Sequence, residues 1–179
     1  MSTAFLGEVR AMPFGFVPNG WMACQGQELP VAQYTGLYSL LLTTFGGNGS
    51  STFGLPTLAP LAAETGTLQY CIAIQGVYPA RPEPDAVAAC APEAVPTTAP
   101  FTGETRNFAF GFAPSGWLPC QGQLVPAAEL ADLFKAIGTT FGGDGSTSFA
   151  LPNVAPLESA DGAPLGLCIS LFGDDPADG

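Results

Sequence analysis

The sequence predicts an α+β fold made of two tandem copies of one small domain. The stretch from Phe14 to Gln27 returns as Phe110 to Gln123, at an offset of 96 residues. This offset holds without a gap between residues 5–58 and 101–154, and half of the paired positions are identical. Each copy also contains one helical periodicity between short, strand-like segments. A duplication this regular fixes the architecture and presents the same surface twice.

The repeat divides the 179 residues into copy 1 at residues 1–78, a linker at 79–100, and copy 2 at 101–179. The linker is rich in Pro and Ala, so we expect a semi-rigid, extended connection. A domain of roughly 80 residues buries only about 60–65% of its unfolded surface, and its stability alone is marginal. Packing between copies, oligomerisation or disulfides would supplement it.

Each copy opens on a predicted strand, at residues 5–12 and 101–108, that holds a Gly-Glu-x-Arg motif. Residues i and i+2 of a strand share a face, so the carboxylate and the guanidinium can pair. Since the chain has only four cations, their placement beside glutamates favours structural ion pairs over ligand binding. The predicted pairs are Glu8 with Arg10, and Glu104 with Arg106.

A Gly/Pro-rich turn leads to a second predicted strand, residues 21–29 in copy 1, and then to a helix. The helix is predicted from apolar residues at i, i+3, i+4 and i+7 in both copies, although their identities differ. These residues are Tyr34, Leu37, Tyr38 and Leu41 in copy 1, and Leu130, Leu133, Phe134 and Ile137 in copy 2. We interpret both faces as core.

A Gly-rich segment follows the helix, at residues 43–56 and 139–152, and an apolar strand closes each copy, at 68–76 and 165–173. The glycines supply the positive φ angles of a compact loop. A phosphate-binding loop would need Lys and Ser/Thr at set positions, and a calcium loop would need more oxygen ligands. We therefore interpret the segment as turn structure.

The charge balance excludes several classes of function. Fifteen acidic residues against four basic ones give a net charge of −11, so no basic stripe for nucleic acid can form. The sequence contains no run of about 18 apolar residues, so no membrane-spanning helix is predicted. Only 11% of residues are charged while 47% are apolar, so we expect uncovered apolar surface that meets a partner or another subunit.

No catalytic, cofactor or metal site is predicted. The chain has no histidine, which removes Ser-His-Asp and Cys-His systems, and none of its five cysteines forms a Cys-x-x-Cys pair. Two readings of the cysteines stay open: buried free thiols that act as small hydrophobes, or one disulfide within each copy. The candidate disulfide partners are Cys24 with Cys71 and Cys120 with Cys168, and Cys90 in the linker is the candidate intermolecular thiol.

Trp21 and Trp117 occupy equivalent positions and also allow two interpretations. As exposed aromatics they could stack on sugars. Alternatively, each packs inside its own domain against the nearby phenylalanines, Phe14 and Phe16 or Phe110 and Phe112. The second interpretation is favoured.

Taken together, the motifs of each copy resemble the phage tail collar domain family, and most closely its bacterial "microcystin-dependent protein" branch. These motifs are Phe-x-Gly-Glu-x-Arg, Phe-x-Pro-x-Gly-Trp-x-x-Cys-x-Gly-Gln, Thr-Thr-Phe-Gly-Gly-Asn/Asp-Gly and Phe-x-Leu-Pro. The resemblance implies two shortened collar-type domains, each with short strands, one helix, a Gly-rich loop and a closing strand. The segment before the last strand, which carries histidines in family members, has shrunk to about ten residues here. The metal-holding tip of related short tail fibres is therefore not expected.

The resemblance implies a structural role in tail fibres or related extracellular assemblies, which are often trimers. We expect a homo-oligomer, such as a trimer or filament, that contacts other tail or appendage proteins. The first residues lack the basic and apolar regions of a signal peptide, so synthesis in the cytosol is expected, with function in a virion tail or extracellular assembly. The alternative is a lectin-like or adhesin-like module that binds cell-surface glycans.

Overall fold

The computed structural model describes residues 4–13, 16–63, 66–81 and 100–174. Within them the fold is mostly β, with one short helix in each repeat. Most of the linker, residues 82–99, lies outside the described residues, as does Cys90. The helices are α1 (Thr35–Leu41) and α2 (Ala131–Ile137). The strands are β1 (Glu8–Met12), β2 (Trp21–Ala23), β3 (Glu28–Pro30), β4 (Thr52–Gly54), β5 (Leu61–Ala63), β6 (Gly66–Ala73), β7 (Thr105–Phe108), β8 (Trp117–Pro119), β9 (Leu124–Pro126), β10 (Ser148–Ala150), β11 (Leu157–Glu158) and β12 (Pro164–Ser170).

The chain forms two compact units whose membership differs from a simple division into N- and C-terminal parts. Unit 1 comprises Met1–Tyr78 together with Asn107–Gly111 and Pro156–Gly166. Unit 2 comprises Pro79–Arg106, Phe112–Ala155 and Leu167–Gly179. Two short segments of the second repeat therefore belong to the unit that is built on the first repeat. The copy boundaries at residues 78 and 101 concern the sequence repeat and stay a prediction.

In unit 1, the long strand β6 organises the sheet. It pairs antiparallel with β1 (Arg10 opposite Cys71), with β2 (Met22 opposite Ile72) and with β5. The other edge of β1 pairs with the end of β7, with Val9 opposite Asn107. Strands β3 and β4 form a separate two-stranded ladder. Unit 2 repeats part of this plan, since β12 pairs with β8 and β9 pairs with β10.

Each repeat has an apolar core around its helix. The core of unit 1 contains Leu37 and Leu41 of α1, together with Phe53, Leu55 and Ile72. The core of unit 2 contains the counterparts of four of these residues, Leu133, Phe149, Leu151 and Ile169. The helix face predicted by the spacing i, i+3, i+4 and i+7 is thus the face that packs on the strands.

The strand predicted at residues 21–29 was wrong as a single element, because it is split into β2 and β3. Gly26 lies between them with a φ angle of 73°, in the left-handed region where an extended strand cannot continue. The Gln27 side chain bridges the break by donating a hydrogen bond to the carbonyl of Ala23 at 2.7 Å. Gly122 and Gln123 repeat this arrangement in the second copy, with φ 74° and a 2.7 Å bond to Pro119.

The two helices end in the same backbone conformation on different residues. Leu42 follows α1 with φ 49° and ψ −131°, and Gly138 follows α2 with φ 56° and ψ −140°. Both residues donate a backbone hydrogen bond to the helix, at 2.7 and 2.8 Å. Among the described residues, Leu42 is the one non-glycine residue with positive φ. In the same described part of the chain, neither helix has the length and apolar character needed to cross a bilayer.

Candidate functional site

Each repeat holds a cluster of one glutamate, one arginine and one tryptophan. In the first repeat, Arg10 Nε donates a hydrogen bond to one carboxylate oxygen of Glu8. The other oxygen accepts the backbone N–H of Phe5 at 3.0 Å. The Arg10 guanidinium lies over the indole of Trp21, 5.5 Å from the ring centroid. The carboxylate is thus engaged by a cation and a backbone donor, and the cation is engaged by a ring.

The second repeat builds the same cluster from the equivalent residues. Arg106 Nε lies 2.7 Å from Glu104 Oε1, and the guanidinium lies 5.3 Å from the centroid of the Trp117 ring. The backbone N–H of Phe101 donates to the second Glu104 oxygen at 3.1 Å. The two clusters differ in exposure, since Glu8 is fully buried whereas the Glu104 side chain is 31% exposed.

These clusters bear on the two interpretations of the tryptophans. Trp117 is buried, with 3% of its surface exposed, so its ring presents no open face to a sugar. Trp21 is half-buried, and Arg10 covers one face of its ring. Phe14, one of its expected packing partners, lies outside the described residues, and Phe16 is exposed. The geometry therefore favours a packing role for Trp117 and gives no stacking platform there.

The Gly-rich loops are closed by one polar side chain in each repeat. Asn48 Oδ1 accepts the backbone N–H groups of Ser50, Ser51 and Thr52 at 2.8–3.1 Å. Asp144 Oδ1 does the same at 2.8–2.9 Å for the three equivalent residues. In the second loop, the hydroxyl of Thr147 and these backbone donors hold the pKa of the Asp144 carboxyl well below its usual range. Because the donors are used within the loop, this arrangement is a turn.

The four cysteines of the repeats are buried free thiols in the structure. The disulfide alternative is therefore not realised there, and Cys90 lies outside the described residues. Burial raises the thiol pKa to about 12 at Cys24 and Cys168 and to about 11 at Cys120, and it also raises the pKa of Cys71. The partner cysteine adds to the shift at Cys24 and Cys168. Since the thiolate is the reactive form, burial disfavours nucleophilic attack by these thiols.

A small cavity of about 190 Å³ opens beside Cys24 in unit 1. Its other lining residues are Gln25, Leu58, Pro60, Thr67 and Gln69. Ligand pockets usually measure about 300–1,000 Å³ and contain convergent charged or polar groups. This cavity is smaller, its lining is uncharged, and its one thiol is held protonated by burial. Among the residues that line it, none is a charged group that could serve as a general acid or base.

The most distinctive surface feature is the way in which unit 1 covers its apolar residues. The ring of Phe108 packs edge-on against Phe5, with centroids 5.9 Å apart. The ring of Phe110 lies over Gly7, so close that a Cβ there would sit 3.0 Å from its Cδ1 atom. Backbone bonds reinforce this contact, since Ala109 N–H donates to the Gly7 carbonyl at 3.0 Å. Residues 107–111 of the second repeat thus cap the core of unit 1.

A second segment extends this cover. Ser159 Oγ accepts the backbone N–H of Thr57 at 3.0 Å, and Ala160 N–H donates to the Thr57 carbonyl at 2.8 Å. Leu165 and Ala109 are members of the core of unit 1, alongside Leu58. The first repeat therefore depends on two segments of the second repeat to bury its apolar surface.

The equivalent positions of unit 2 are exposed. Phe101, the counterpart of Phe5, is 52% exposed, whereas Phe5 is 3% exposed. Phe141, the counterpart of Phe45, is 49% exposed against 5%. Val154 is likewise exposed where its counterpart Leu58 is buried. Unit 2 thus presents to solvent the side chains that unit 1 covers.

The sequence did not indicate this surface, because Phe101, Phe141 and Val154 are identical or similar to their counterparts in the first repeat. Composition gave the one available signal, since so low a charged fraction predicts uncovered apolar surface. It did not indicate which residues would be uncovered. That distinction depends on residues 107–111 and 156–166, which come from the second half of the sequence and belong to unit 1.

Comparison with known protein families identifies the family to which both repeats are similar. Residues 7–61 and 103–156 each match the family model described as the Phage Tail Collar Domain. Together the two regions cover more than half of the chain, and each contains one Glu–Arg–Trp cluster and one Gly-rich loop. The resemblance drawn from the motifs, including its two tandem copies, is confirmed. No curated protein and no solved structure matched the chain.

Proposed function

Because the chain belongs to the phage tail collar domain family, we propose that it is a non-enzymatic structural subunit of a virion tail or related extracellular appendage. The family suggests a structural part of a tail fibre, and collar domains are not catalysts. The two copies are then α+β modules of the collar type, and function lies in how they pack with other subunits.

One observation carries the proposal of self-association. Unit 2 exposes Phe101, Phe141 and Val154, whose counterparts in unit 1 are buried. Aromatic residues such as these two phenylalanines are enriched in protein interfaces relative to the rest of the surface. With only 11% charged residues, the chain has few polar groups with which to keep such a surface solvated. A homo-oligomer, as a trimer, ring or filament, would bury it.

The glycan-binding alternative has less support. Its proposed stacking residues are Trp21 and Trp117, and the arginine of each cluster lies over each ring. Enzymatic function has no support from the described residues either, since their thiols are held protonated and Glu8 is tied to Arg10. We therefore propose assembly as the function.

The test measures native mass by light scattering and images the protein by negative-stain electron microscopy, with and without reductant. Assembly predicts rings, filaments or a defined oligomer, at a mass above the 18.3 kDa of one chain. Cys90→Ser is the matched variant for the linker thiol. If assembly is lost in this variant or under reductant, the Cys90 thiol takes part in the contact between subunits. A single-chain mass at every concentration would refute the proposal.

A further inference from the structure

The first repeat contains two Asn-Gly sequences, Asn19-Gly20 and Asn48-Gly49. We propose that Asn19 is a site of spontaneous covalent modification, at which the side-chain amide is lost as ammonia, and that the Gly-rich loop protects Asn48 from the same reaction. The inference does not depend on assembly, because it concerns one turn and one loop of unit 1.

The reaction is the attack of a backbone nitrogen on the side chain that precedes it. A base in the solvent removes the proton of the Gly20 amide, and the nitrogen forms a bond to Cγ of Asn19. The bond from Cγ to Nδ2 breaks, Nδ2 takes up a proton from water and leaves as ammonia, and a cyclic succinimide remains. Water then opens the ring at either carbonyl and gives aspartate or isoaspartate. A following glycine favours the attack, because no Cβ shields its nitrogen.

Hydrogen bonds, and not exposure, distinguish the two sites, since both asparagines are exposed. Asn19 lies in a turn that is closed by a backbone bond from Trp21 N–H to the Pro18 carbonyl at 3.1 Å. Among the described residues, neither the Asn19 side chain nor the Gly20 N–H makes a hydrogen bond. No hydrogen bond of either reacting group therefore has to break before the Gly20 nitrogen reaches Cγ.

The Gly-rich loop engages every reacting group of the other sequence. Gly49 N–H donates to the Thr52 carbonyl at 2.9 Å, so the nitrogen that would attack is held in a hydrogen bond. Asn48 Nδ2 donates to Ser51 Oγ at 2.8 Å, and Asn48 Oδ1 accepts three backbone N–H groups of the loop at 2.8–3.1 Å. The side chain must leave these partners before Cγ can reach the Gly49 nitrogen. The loop therefore has to open first, and the reaction at Asn48 is slowed by the small fraction of time that it is open.

The second repeat supplies the matched substitutions. Ser115 is the counterpart of Asn19, and Asp144 is the counterpart of Asn48. The Asp144 carboxylate makes the same three backbone bonds as the Asn48 amide, at 2.8–2.9 Å. Asn19→Ser and Asn48→Asp thus each place in the first repeat a residue that the second repeat already holds at the equivalent position.

Modification at Asn19 changes the main chain beside the end of β6. The Gly20 carbonyl accepts the N–H groups of Ile74 and Gln75, at 2.9 and 3.2 Å. Isoaspartate carries the main chain through the former side-chain carbon, which lengthens the turn just before this carbonyl. Either product also adds one negative charge to a chain whose net charge is already −11. We therefore expect the chain that contains isoaspartate to unfold at a lower urea concentration.

The experiment incubates the folded full chain in mildly alkaline buffer and follows each site by mass spectrometry. A glutamate-specific protease separates the two sites into the peptides 9–28 and 29–64. An isoaspartyl methyltransferase, added as a reagent, distinguishes isoaspartate from aspartate. A parallel sample unfolded in urea gives the rate at each site without the fold, so dividing by it removes the effect of neighbouring side chains. The variants Asn19→Ser and Asn48→Asp are checked for folding by circular dichroism.

After each rate is divided by its value in urea, we expect Asn19 to lose its amide at least about tenfold faster than Asn48. A ratio of about tenfold corresponds to about 1.4 kcal/mol, which is near the net worth of one hydrogen bond. Asn19→Ser should abolish the added charge and the fall in the urea midpoint on incubation. Asn48→Asp should leave the rate at Asn19 unchanged.

Equal divided rates at the two sites would overturn the inference, because the loop would then give no protection. A faster rate at Asn48 would overturn it as well, and would mean that the three N–H donors stabilise the charge that develops on Oδ1 during the attack. A rate at Asn19 that falls about tenfold or more on folding would show that the turn is not reactive in the folded chain.

Discussion

Leu42 offers a test in which glycine should stabilise more than alanine. The residue follows α1 with φ 49° and ψ −131°, a backbone conformation that only glycine adopts at low cost. Its side chain is exposed, and its counterpart Gly138 has the same conformation. We compare Leu42→Gly with Leu42→Ala, because both remove the leucine side chain and only alanine keeps a Cβ.

The magnitude follows from two opposing terms. A non-glycine residue in such a region costs on the order of 1–3 kcal/mol of backbone strain, which Leu42→Gly relieves and Leu42→Ala retains. Glycine also lowers the unfolding free energy by about 0.4–1 kcal/mol, because it raises the conformational entropy of the unfolded chain. We therefore expect Leu42→Gly to exceed Leu42→Ala in unfolding free energy by about 1 kcal/mol. At an ordinary helix position the order is reversed, by about 0.5–1 kcal/mol.

The assay is thermal and urea unfolding followed by circular dichroism, and about 1 kcal/mol corresponds to a Tm shift of about 4–8 °C in a domain of this size. The matched control is Gly138→Ala. A Cβ at Gly138 would meet no atom within 4 Å, so its expected destabilisation of about 1 kcal/mol would come from the backbone alone. If Leu42→Ala proves as stable as Leu42→Gly, the strain argument is wrong.

Three further measurements test the loops, the cover and the ion pairs. The pKa of the Asp144 carboxyl is lower in the folded chain than in the unfolded chain, where it is near 4, so the ionised carboxylate stabilises the fold above about pH 4 and this stability is lost as the pH falls further. Urea midpoints measured against pH should show that Asp144→Asn removes this dependence and that Asn48→Asp adds it. Phe110→Ala should lower the unfolding free energy by about 3–5 kcal/mol, since it empties the cover over Gly7; a loss under 1 kcal/mol would contradict the packing. Glu8→Ala should lower the free energy of unfolding by about 1.5–3 kcal/mol, whereas Glu104→Ala, at a more exposed ion pair, should lower it by about 0–1 kcal/mol. Equal losses in chemical unfolding would refute the argument from burial.

Local features were predictable from the sequence because local rules decide them. The spacing of Leu37 and Leu41 predicts a helix with one buried face, and α1 buries both residues. The family followed from the motifs. The break at Gly26 was harder to predict, because glycine tolerates both extended and left-handed backbone, and the choice depends on the hydrogen bond from Gln27 to Ala23.

The exposed surface of unit 2 could not be predicted from the repeat. Two identical residues such as Phe5 and Phe101 carry the same local signal, and only tertiary packing separates them. The separation comes from Phe108, which packs on Phe5 from a distant part of the sequence. A repeat predicts equivalent environments, whereas a short segment that joins the other unit makes them unequal.

The hydrogen bond between Thr57 and Ser159 also has a consequence for synthesis. Its partners are 102 residues apart in the chain. At about 5–20 residues per second, a ribosome needs roughly 5–20 s to make that stretch. During this interval the nascent first repeat lacks part of its cover, and the apolar positions around Leu58 are available to chaperones or to neighbouring nascent chains. Completion of the N-terminal core is therefore one of the last events of translation, although most of its residues are made first.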